Sequence, residues 1–585
     1  MTTFKLLLEK RIIRRFRRSR AFSRFKGTLN RHVAAPFLRG ILHPSGIQEH
    51  RSFPALRLLW DMPNPPLLSV LMPIYKPDLG LFKKAVSSVQ RQCYPNWELC
   101  LVDDGSNDEH LISTFQNLEG DARIKVFRFK MNEGISAAIN KAAALANGSY
   151  FGVLDQDDEL HSSALLEYAR VITRNPEVDI IYCDEDKIDE KGRFCSPWYK
   201  SDWNPDMALS FNYVMHFVLY RSSLFRALGG TRTRFDGSQD YDLLLRAVEK
   251  TGHIHHIPKI LYHWRISAGS IAGGPEAKPH VFVKGLAALN DALHRREIQG
   301  SAEHAPDAWK GVYRVRRKIN RPHTTSILVL LTGNPDRPLP LFRSIAALIP
   351  SADREIICMD PSIPEAGKTT MVHNIPITCV ASPDKALNNV PAYFNAMARK
   401  ARGDFLLFLD DTMEILSSET HFALLEQGQR SEVGAVGGKV FYPNGFLEQT
   451  GIILGPFGLF AYANRASPDD VGYVGIKRMI ANYSAIMGLG MMTRRLLFFE
   501  LGGFDEQYDN YCWDADYCLR LRERRFLITS TPYATFRHHI PARPTHLGIS
   551  SQDTAIFKKR WHHVIDNDPY FNKNLSRLRE DFWPG

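Results

Sequence analysis

Val102-Asp103-Asp104-Gly105-Ser106 and Val153-Leu154-Asp155-Gln156-Asp157-Asp158 each close an apolar run with a knot of acids. An apolar run such as Leu99 to Val102 suits a buried parallel strand, and polar groups at the carboxyl end of such a strand face the crevice where open α/β sheets bind ligands. Asp104, followed by the turn formers Gly105 and Ser106, suits an acceptor for a base N–H. Asp155 and Asp157 lie two apart on an extended segment, so their carboxylates share a face. Hard divalent ions are held by one or two carboxylates plus substrate phosphates, which makes a nucleoside diphosphate the natural companion. Solvated acidic turns are the competing reading of either segment alone.

The neighbouring sequence favours the crevice. Leu68 to Tyr75 is an apolar strand ending in Pro73-Ile74-Tyr75, and Phe82, Ala85, Val86 and Val89 carry helical spacing through Gln92. Asn132-Glu133-Gly134 precedes a helical pattern over Ile135 to Ala146, Gly148 stops it, and the strand Tyr150 to Leu154 delivers the second acidic segment. These residues resemble the family 2 glycosyltransferases of GT-A fold, which open on a Pro-x-Tyr strand, bind the donor base through an Asp-Asp-Gly-Ser type loop and hold a metal with a DxD segment. The resemblance covers residues 67 to about 300, within a first GT-A domain expected over 67–305.

The resemblance implies roles residue by residue. Asp157 becomes a metal ligand, Asp155 lies nearer the donor ribose, and Pro73, Tyr75 and Asp104 fall at the nucleoside pocket, with Asp103 and Asp158 secondary. The family's base follows a Gly-Gly segment. Here Gly229-Gly230 leads to Gly237-Ser238-Gln239-Asp240-Tyr241-Asp242, where Gln239 replaces the usual Glu and Asp240 remains to take a proton from an acceptor hydroxyl. Asp242 reads as a helix N-terminal carboxylate. The strand Pro258 to Arg265 supplies His263 as a second metal ligand and Arg265 for the diphosphate. Aromatics beside carboxylates over Cys183 to Asp189, Trp198, Trp203 to Asp206 and His216 are expected to form an acceptor-sugar platform. The implied activity is an inverting, Mg- or Mn-dependent hexosyl or deoxyhexosyl transfer from a nucleotide sugar to a glycan or lipid-linked acceptor, of the kind that builds bacterial surface polysaccharides.

A weaker copy of the same programme occupies residues 322–560. Asp155 maps to Asp410, Gly229-Gly230 to Gly502-Gly503, Asp240 to Asp514 and His263 to His538. The fold class is therefore α/β, as two tandem GT-A units, Rossmann-like with mostly parallel sheets. The donor side of the copy is altered: Asp360-Pro361-Ser362 replaces the Asp-Asp-Gly-Ser loop, and Thr412 stands where Asp157 does, with Asp411 beside it. A hydroxyl is a poor substitute for a carboxylate at a metal. Either both units work, giving a bifunctional enzyme, or the second is an acceptor-binding or assembly module; a carbohydrate-binding scaffold is the non-enzymatic alternative.

Of 585 residues 44% are hydrophobic, enough for two sizeable cores. Eight scattered cysteines without a CxxC pair or secretory leader suggest a reducing cytoplasm. No apolar run is long enough for a membrane span. The net charge of +11 is concentrated in residues 1–32, where eleven Lys and Arg face Glu9 alone. Phe4, Leu8, Ile12 and Phe16 recur every four residues, predicting a basic amphipathic helix on anionic lipid at the inner face of the cell membrane. Nucleic acid is not expected as a partner, because no nucleic-acid-binding motif accompanies the basic arm. Residues 33–66, rich in proline, read as a linker, and residues 561–585 as a C-terminal tail.

Overall fold

The computed structural model describes residues 62, 64–267, 279–331, 333, 337–360, 369–372, 375–381, 389–463, 471–540, 551–579 and 581–582. The expected basic helix over 1–32, and nearly all of the linker, lie outside the described residues.

The first unit runs β1 (Leu68–Ile74), α1 (Leu79–Gln90), β2 (Trp97–Asp103), α2 (Glu109–Leu118), β3 (Ile124–Arg128), α3 (Ile135–Leu145), β4 (Tyr150–Val153), β5 (Glu159–Leu160), α4 (Ala164–Arg174), β6 (Ile180–Ile188), β7 (Phe194–Trp198), α5 (Pro205–Ser210), β8 (Leu219–Arg221), α6 (Ser222–Ala227), α7 (Gln239–Ala247) and β9 (Ile254–Arg265). Its sheet order is β3-β2-β1-β4-β8-β6-β9-β5, with β7 on β6. β1 to β4 are mutually parallel, whereas β8 enters antiparallel between β4 and β6. Local chemistry starts the helices. Asp78 accepts from Leu81 N at 2.9 Å to cap α1, and Asp108 caps α2 through His110 N and Leu111 N. A further helix α8 (Pro279–Arg295) and the hairpin β10 (Gly300–His304) and β11 (Tyr313–Arg317) follow.

The second unit contains β12 (Thr325–Leu330), α9 (Pro338–Leu348), β13 (Arg354–Met359), β14 (Thr369–Val372), β15 (Ile375–Cys379), α10 (Val390–Ala398), β16 (Phe405–Asp410), β17 (Met413–Ile415), α11 (Glu419–Gly428), β18 (Val433–Phe441), β19 (Leu447–Gln449), β20 (Ile452–Leu454), β21 (Phe460–Tyr462), β22 (Ala481–Asn482), β23 (Met492–Arg494), α12 (Arg495–Glu500), α13 (Trp513–Glu523), β24 (Leu527–His538) and α14 (Ser551–Ile565). Its main sheet runs β14-β15-β13-β12-β16-β23-β18-β24-β17. Setting aside the added β14, this is the order of the first sheet.

Buried polar networks repeat with the topology. Ser69 Oγ donates to Glu98, and Gly148 N donates to both, as Ser326, Glu355 and Gly403 do in the copy. Asn140 exchanges hydrogen bonds with the Thr231 backbone and Asn395 with that of Phe504. Gly230 and Gly503, both at positive φ, sit so close to these amides that a Cβ on either would collide with the asparagine oxygen. Asp242 is fully buried and paired with Arg246, which also donates to the Leu228 and Gly230 carbonyls; Asp516 and Arg520 repeat this on Leu501 and Gly503. The duplicated Asp-x-x-x-Arg is thus a clamp on the Gly-Gly turn, and Asp242 is an ion-pair partner more than a dipole carboxylate.

The two units share one apolar cluster, in which Met207, Tyr213 and Val312 pack with Ile453, Ala461, Met479 and Tyr483. Phe571, Leu575 and Phe582 belong to it, and α14 runs through the boundary expected at 560, so residues 561–575 and Phe582 are built into the fold and do not trail from it. Among the described residues no helix is long and apolar enough to cross a membrane.

Candidate functional site

The crevice forms where β1, β2 and β4 end. Tyr75, just past β1, is 42% exposed, with its ring available to a planar ligand. Pro73 is buried in β1 opposite Val102, so it shapes the strand end without facing the crevice. Gln156, a mere spacer between two aspartates in the sequence, hydrogen-bonds both backbone groups of Tyr75, accepting from its N–H at 2.8 Å and donating to its carbonyl at 3.2 Å. This side chain ties the acidic loop to the first strand and leaves Asp155 and Asp157 partly exposed on either side.

Asp104 has a task within the chain. Its buried carboxylate accepts from Asn132 Nδ2 at 2.9 Å, Glu133 N at 2.7 Å and Gly134 N at 3.0 Å, and so holds the turn into α3. Burial raises its pKa, against the pull of those backbone donors. Three of roughly four acceptor positions on the carboxylate are therefore filled within the chain. Asp103 likewise accepts from Ser106 N and pairs with Arg128.

The far wall is β9. His263 lies opposite Glu159 of β5 and is hydrogen-bonded through Nδ1 to Asp186 at 2.6 Å, which turns Nε2 away from that carboxylate. A carboxylate holding one imidazole nitrogen is the usual support of a metal-binding histidine. Arg265 has a structural task as well. Its guanidinium donates to the Asp157 carbonyl at 2.8 Å and to Glu159 at 2.5 Å, while its backbone N–H reaches Asp158, so it braces the acidic loop. Asp158 also accepts from Tyr262 Oη, and burial together with the charge of Asp155 pushes its pKa well up.

Asp240 opens α7 on the opposite side. It is exposed to the crevice, and its Oδ2 accepts from Asn212 Nδ2 at 2.8 Å. The desolvating walls raise its pKa, while backbone N–H groups, His216 and Asn212 act in the other direction. His216 links the two sides. It stacks on Tyr262, lies 3.5 Å from Glu185 and feels the charges of Asp155 and Asp158. Burial disfavours its charged form, but Glu185 and the two aspartates outweigh this and raise its pKa to about 9. Lys200 in turn donates to Glu185 at 2.8 Å.

Most of the expected acceptor platform is architecture. Asp184 is buried against His256 and Asn572, Asp186 serves His263, and Asp206 is buried between the units. His216, of that set, faces the acidic loop.

The corresponding place in the second unit is filled. Trp513, at the position of Gln239, is 5% exposed and packs on Phe394 and Phe504, and a Cβ on Gly488 would strike its ring. Asp514 is 8% exposed, accepts from Gly488 N and Ala515 N at 2.8 Å each, and has its pKa raised by burial. Asp410 accepts both the N–H and the hydroxyl of Thr412, Asp411 is buried, Asp360 is partly buried at the end of β13, and His538 pairs with Glu448 at 2.9 Å.

A parallel half-sheet with partly exposed acids and an exposed ring at its carboxyl edge is the ligand-binding arrangement of open α/β proteins. Residues 69–229 match the family model described as Glycosyl transferase family 2, and that segment is a family 2 glycosyltransferase domain. The chain is 31% identical over 547 residues to the uncharacterized protein y4gI of Sinorhizobium fredii, covering 90% of this chain and 59% of that one. It is 30% identical over 523 residues to the O-antigen biosynthesis protein RfbC of Myxococcus xanthus, covering 88% of this chain and 41% of that one. The chain thus spans about half the length of these relatives. Among solved structures, residues 1–349 of S. aureus TarS in complex with UDP-GlcNAc match at 18% identity and a TM-score of 0.31, over 39% of this chain and 72% of that one.

The residues present suit a hard divalent ion. Among the described residues no three His, Cys, Asp or Glu side chains are grouped to enclose a metal. Asp155 and Asp157 offer partly exposed carboxylates of the kind that hold Mg²⁺ or Mn²⁺ when phosphate and water complete the shell, and His263 adds a supported nitrogen nearby.

Proposed function

We propose that the first unit is an inverting glycosyltransferase acting in surface-polysaccharide assembly, moving a hexosyl or deoxyhexosyl group from a nucleoside-diphosphate sugar to a glycan or lipid-linked hydroxyl. The observation that carries this reading is that the acidic loop tied to Tyr75 by Gln156 and the carboxylate of Asp240 both lie within reach of His216, which feels the charge of Asp155 and acts on Asp240. Tyr75 would stack on the donor base, and Asp155 would meet the ribose. Asp157, with His263, would hold a divalent ion, which neutralises charge on the departing diphosphate. Asp240 accepts the proton of the acceptor hydroxyl as that oxygen attacks the anomeric carbon from the face opposite the diphosphate, so configuration inverts. Arg265 keeps the acidic loop in place through the Asp157 carbonyl.

The second unit contributes no chemistry in this reading. Asp410 and Asp514 accept from internal donors, and Trp513 occupies the space that an acceptor needs. The basic segment 1–32 would hold the enzyme at anionic lipid on the cytoplasmic side of the membrane. The name of the Myxococcus relative supports the polysaccharide setting. Donor binding with and without Mn²⁺ tests the donor site: Asp157→Ala should abolish the metal-dependent part of nucleotide-sugar affinity while the protein stays folded. Undiminished metal-dependent binding in that variant contradicts the assignment.

A further inference from the structure

The helix α5 is held by both units, and its contact with the start of α7 gives the second unit a purpose. On one side α5 is locked to β22 of the second unit. Asn204 and Asn482 exchange backbone and side-chain hydrogen bonds at 3.0 Å each, the Asp206 N–H donates to Asn482 Oδ1 at 3.1 Å, and Asn482 Nδ2 donates back to Asp206 Oδ2 at 2.7 Å. Thr529 Oγ1 adds a further donor to Asp206 at 2.9 Å, Arg430 pairs with it at 2.7 Å, and Ser210 closes the other end of the helix on the Ile480 backbone. Asp206 is 2% exposed. A carboxylate buried this deeply needs all these partners, so the lock is strongly specified.

On its other side α5 meets the base. Tyr241, next to Asp240, donates to the Ala208 carbonyl at 2.8 Å, and Asn212, two residues past α5, donates to Asp240 Oδ2 at 2.8 Å. The chain then continues to His216. The described side-chain hydrogen bond onto Asp240 therefore comes from a segment whose far face is held by the second unit.

We propose that the second unit is a positioning module for the first, with Asn482, Arg430 and Thr529 as positioning residues that act on Asp240 through α5 and Asn212. This rests on Asp240 being the base of the proposed transfer. It predicts that a substitution in the second unit changes turnover without changing donor affinity.

The test compares full-length Asn482→Ala and the milder Thr529→Val with Asn212→Ala and the double variant Asn482→Ala/Asn212→Ala. Asn482→Ala should lower kcat about tenfold or more with the donor KM within about twofold, and should move the acidic limb of the kcat profile to higher pH, because the carboxylate loses an aligned donor. Thr529→Val should shift both in the same direction by less. In the Asn212→Ala background, Asn482→Ala should add little, since both act along one path. Unchanged kcat in folded Asn482→Ala and Thr529→Val, or losses that multiply independently in the double variant, would overturn the proposal. Wild-type turnover is the separate control on the transfer reading. Were it absent, hydrogen exchange over 205–216 and 239–247 still decides: faster exchange in Asn482→Ala supports the coupling, and unchanged exchange overturns it.

Discussion

Asp240 and Asp514 occupy matching positions at the starts of α7 and α13, yet replacing each by asparagine should give opposite signatures. Asp240 is exposed and accepts one side-chain hydrogen bond, from Asn212, which the amide oxygen of a replacing asparagine can still accept. The structural cost of Asp240→Asn should stay within about 0.5 kcal/mol, as at most exposed positions. Loss of a general base costs roughly 10²–10⁴ in rate. That range corresponds to about 3–5 kcal/mol on the barrier, so the catalytic effect exceeds the structural one several-fold. Asp514 reverses the balance. Its two oxygens are occupied by Gly488 N and Ala515 N in a buried site, and an asparagine must turn its NH₂ toward one of these donors. An unsatisfied buried donor costs about 1–3 kcal/mol, and turnover per folded molecule should hardly move. Initial rates at saturating donor, normalised to active folded protein, with urea melts on the same samples, separate the two effects. Equal losses of turnover from both substitutions in folded protein would refute the reasoning, because the second unit would then be catalytic.

Three further outcomes follow from the same geometry. Gln156→Ala removes two exposed hydrogen bonds to Tyr75, each worth about 0.5 kcal/mol at the lower end, so kcat/KM for the donor should fall roughly fivefold with little change in melting temperature; an unchanged kcat/KM would show that Gln156 does not order the loop. His216, with a pKa raised to about 9, contributes stability that is complete below its ordinary pKa of about 6.5 and is lost as pH rises through about 9, so wild type should lose more stability than His216→Gln on going from about pH 7 to about pH 9.5; parallel curves would contradict this. Removal of residues 1–32 should abolish salt-sensitive sedimentation with anionic vesicles, and continued sedimentation would place the membrane contact elsewhere.

The strands that carry the donor side are legible because each is a short apolar run ending in acids and turn formers. β1, β2 and β4 fall where that pattern puts them, and the duplication visible in Asp240-Tyr241-Asp242 against Asp514-Ala515-Asp516 extends to the whole strand order. What the sequence hides depends on pairing at a distance. The apolar pattern passes over α2 and β3, although Asp108 capping α2 is a local signal of the usual kind. β8 spans only Leu219–Arg221, and nothing in three residues says that it will insert antiparallel between β4 and β6. Asp104 and Arg265 carry the residue types of ligand groups, but Asn132 to Gly134 and Asp157 to Glu159 reach them through the fold before a ligand does. Asp206 beside tryptophans reads as a sugar platform, and only Asn482, far along the chain, reveals it as part of an interface. Trp513 in place of Gln239 is a local sign, beside Thr412 in place of Asp157, that the second crevice is altered.

The central claim is that the first unit transfers a sugar from a nucleoside-diphosphate donor using Asp157 and Asp240. Its most direct test is mass spectrometry of both products after incubating the full chain with Mn²⁺, a panel of nucleotide sugars and lipid-linked or oligosaccharide acceptors. The account predicts one free nucleoside diphosphate for each glycosidic bond formed, with both products lost together in Asp157→Ala and in Asp240→Asn. Glycan product that persists undiminished in folded Asp157→Ala and Asp240→Asn would contradict it.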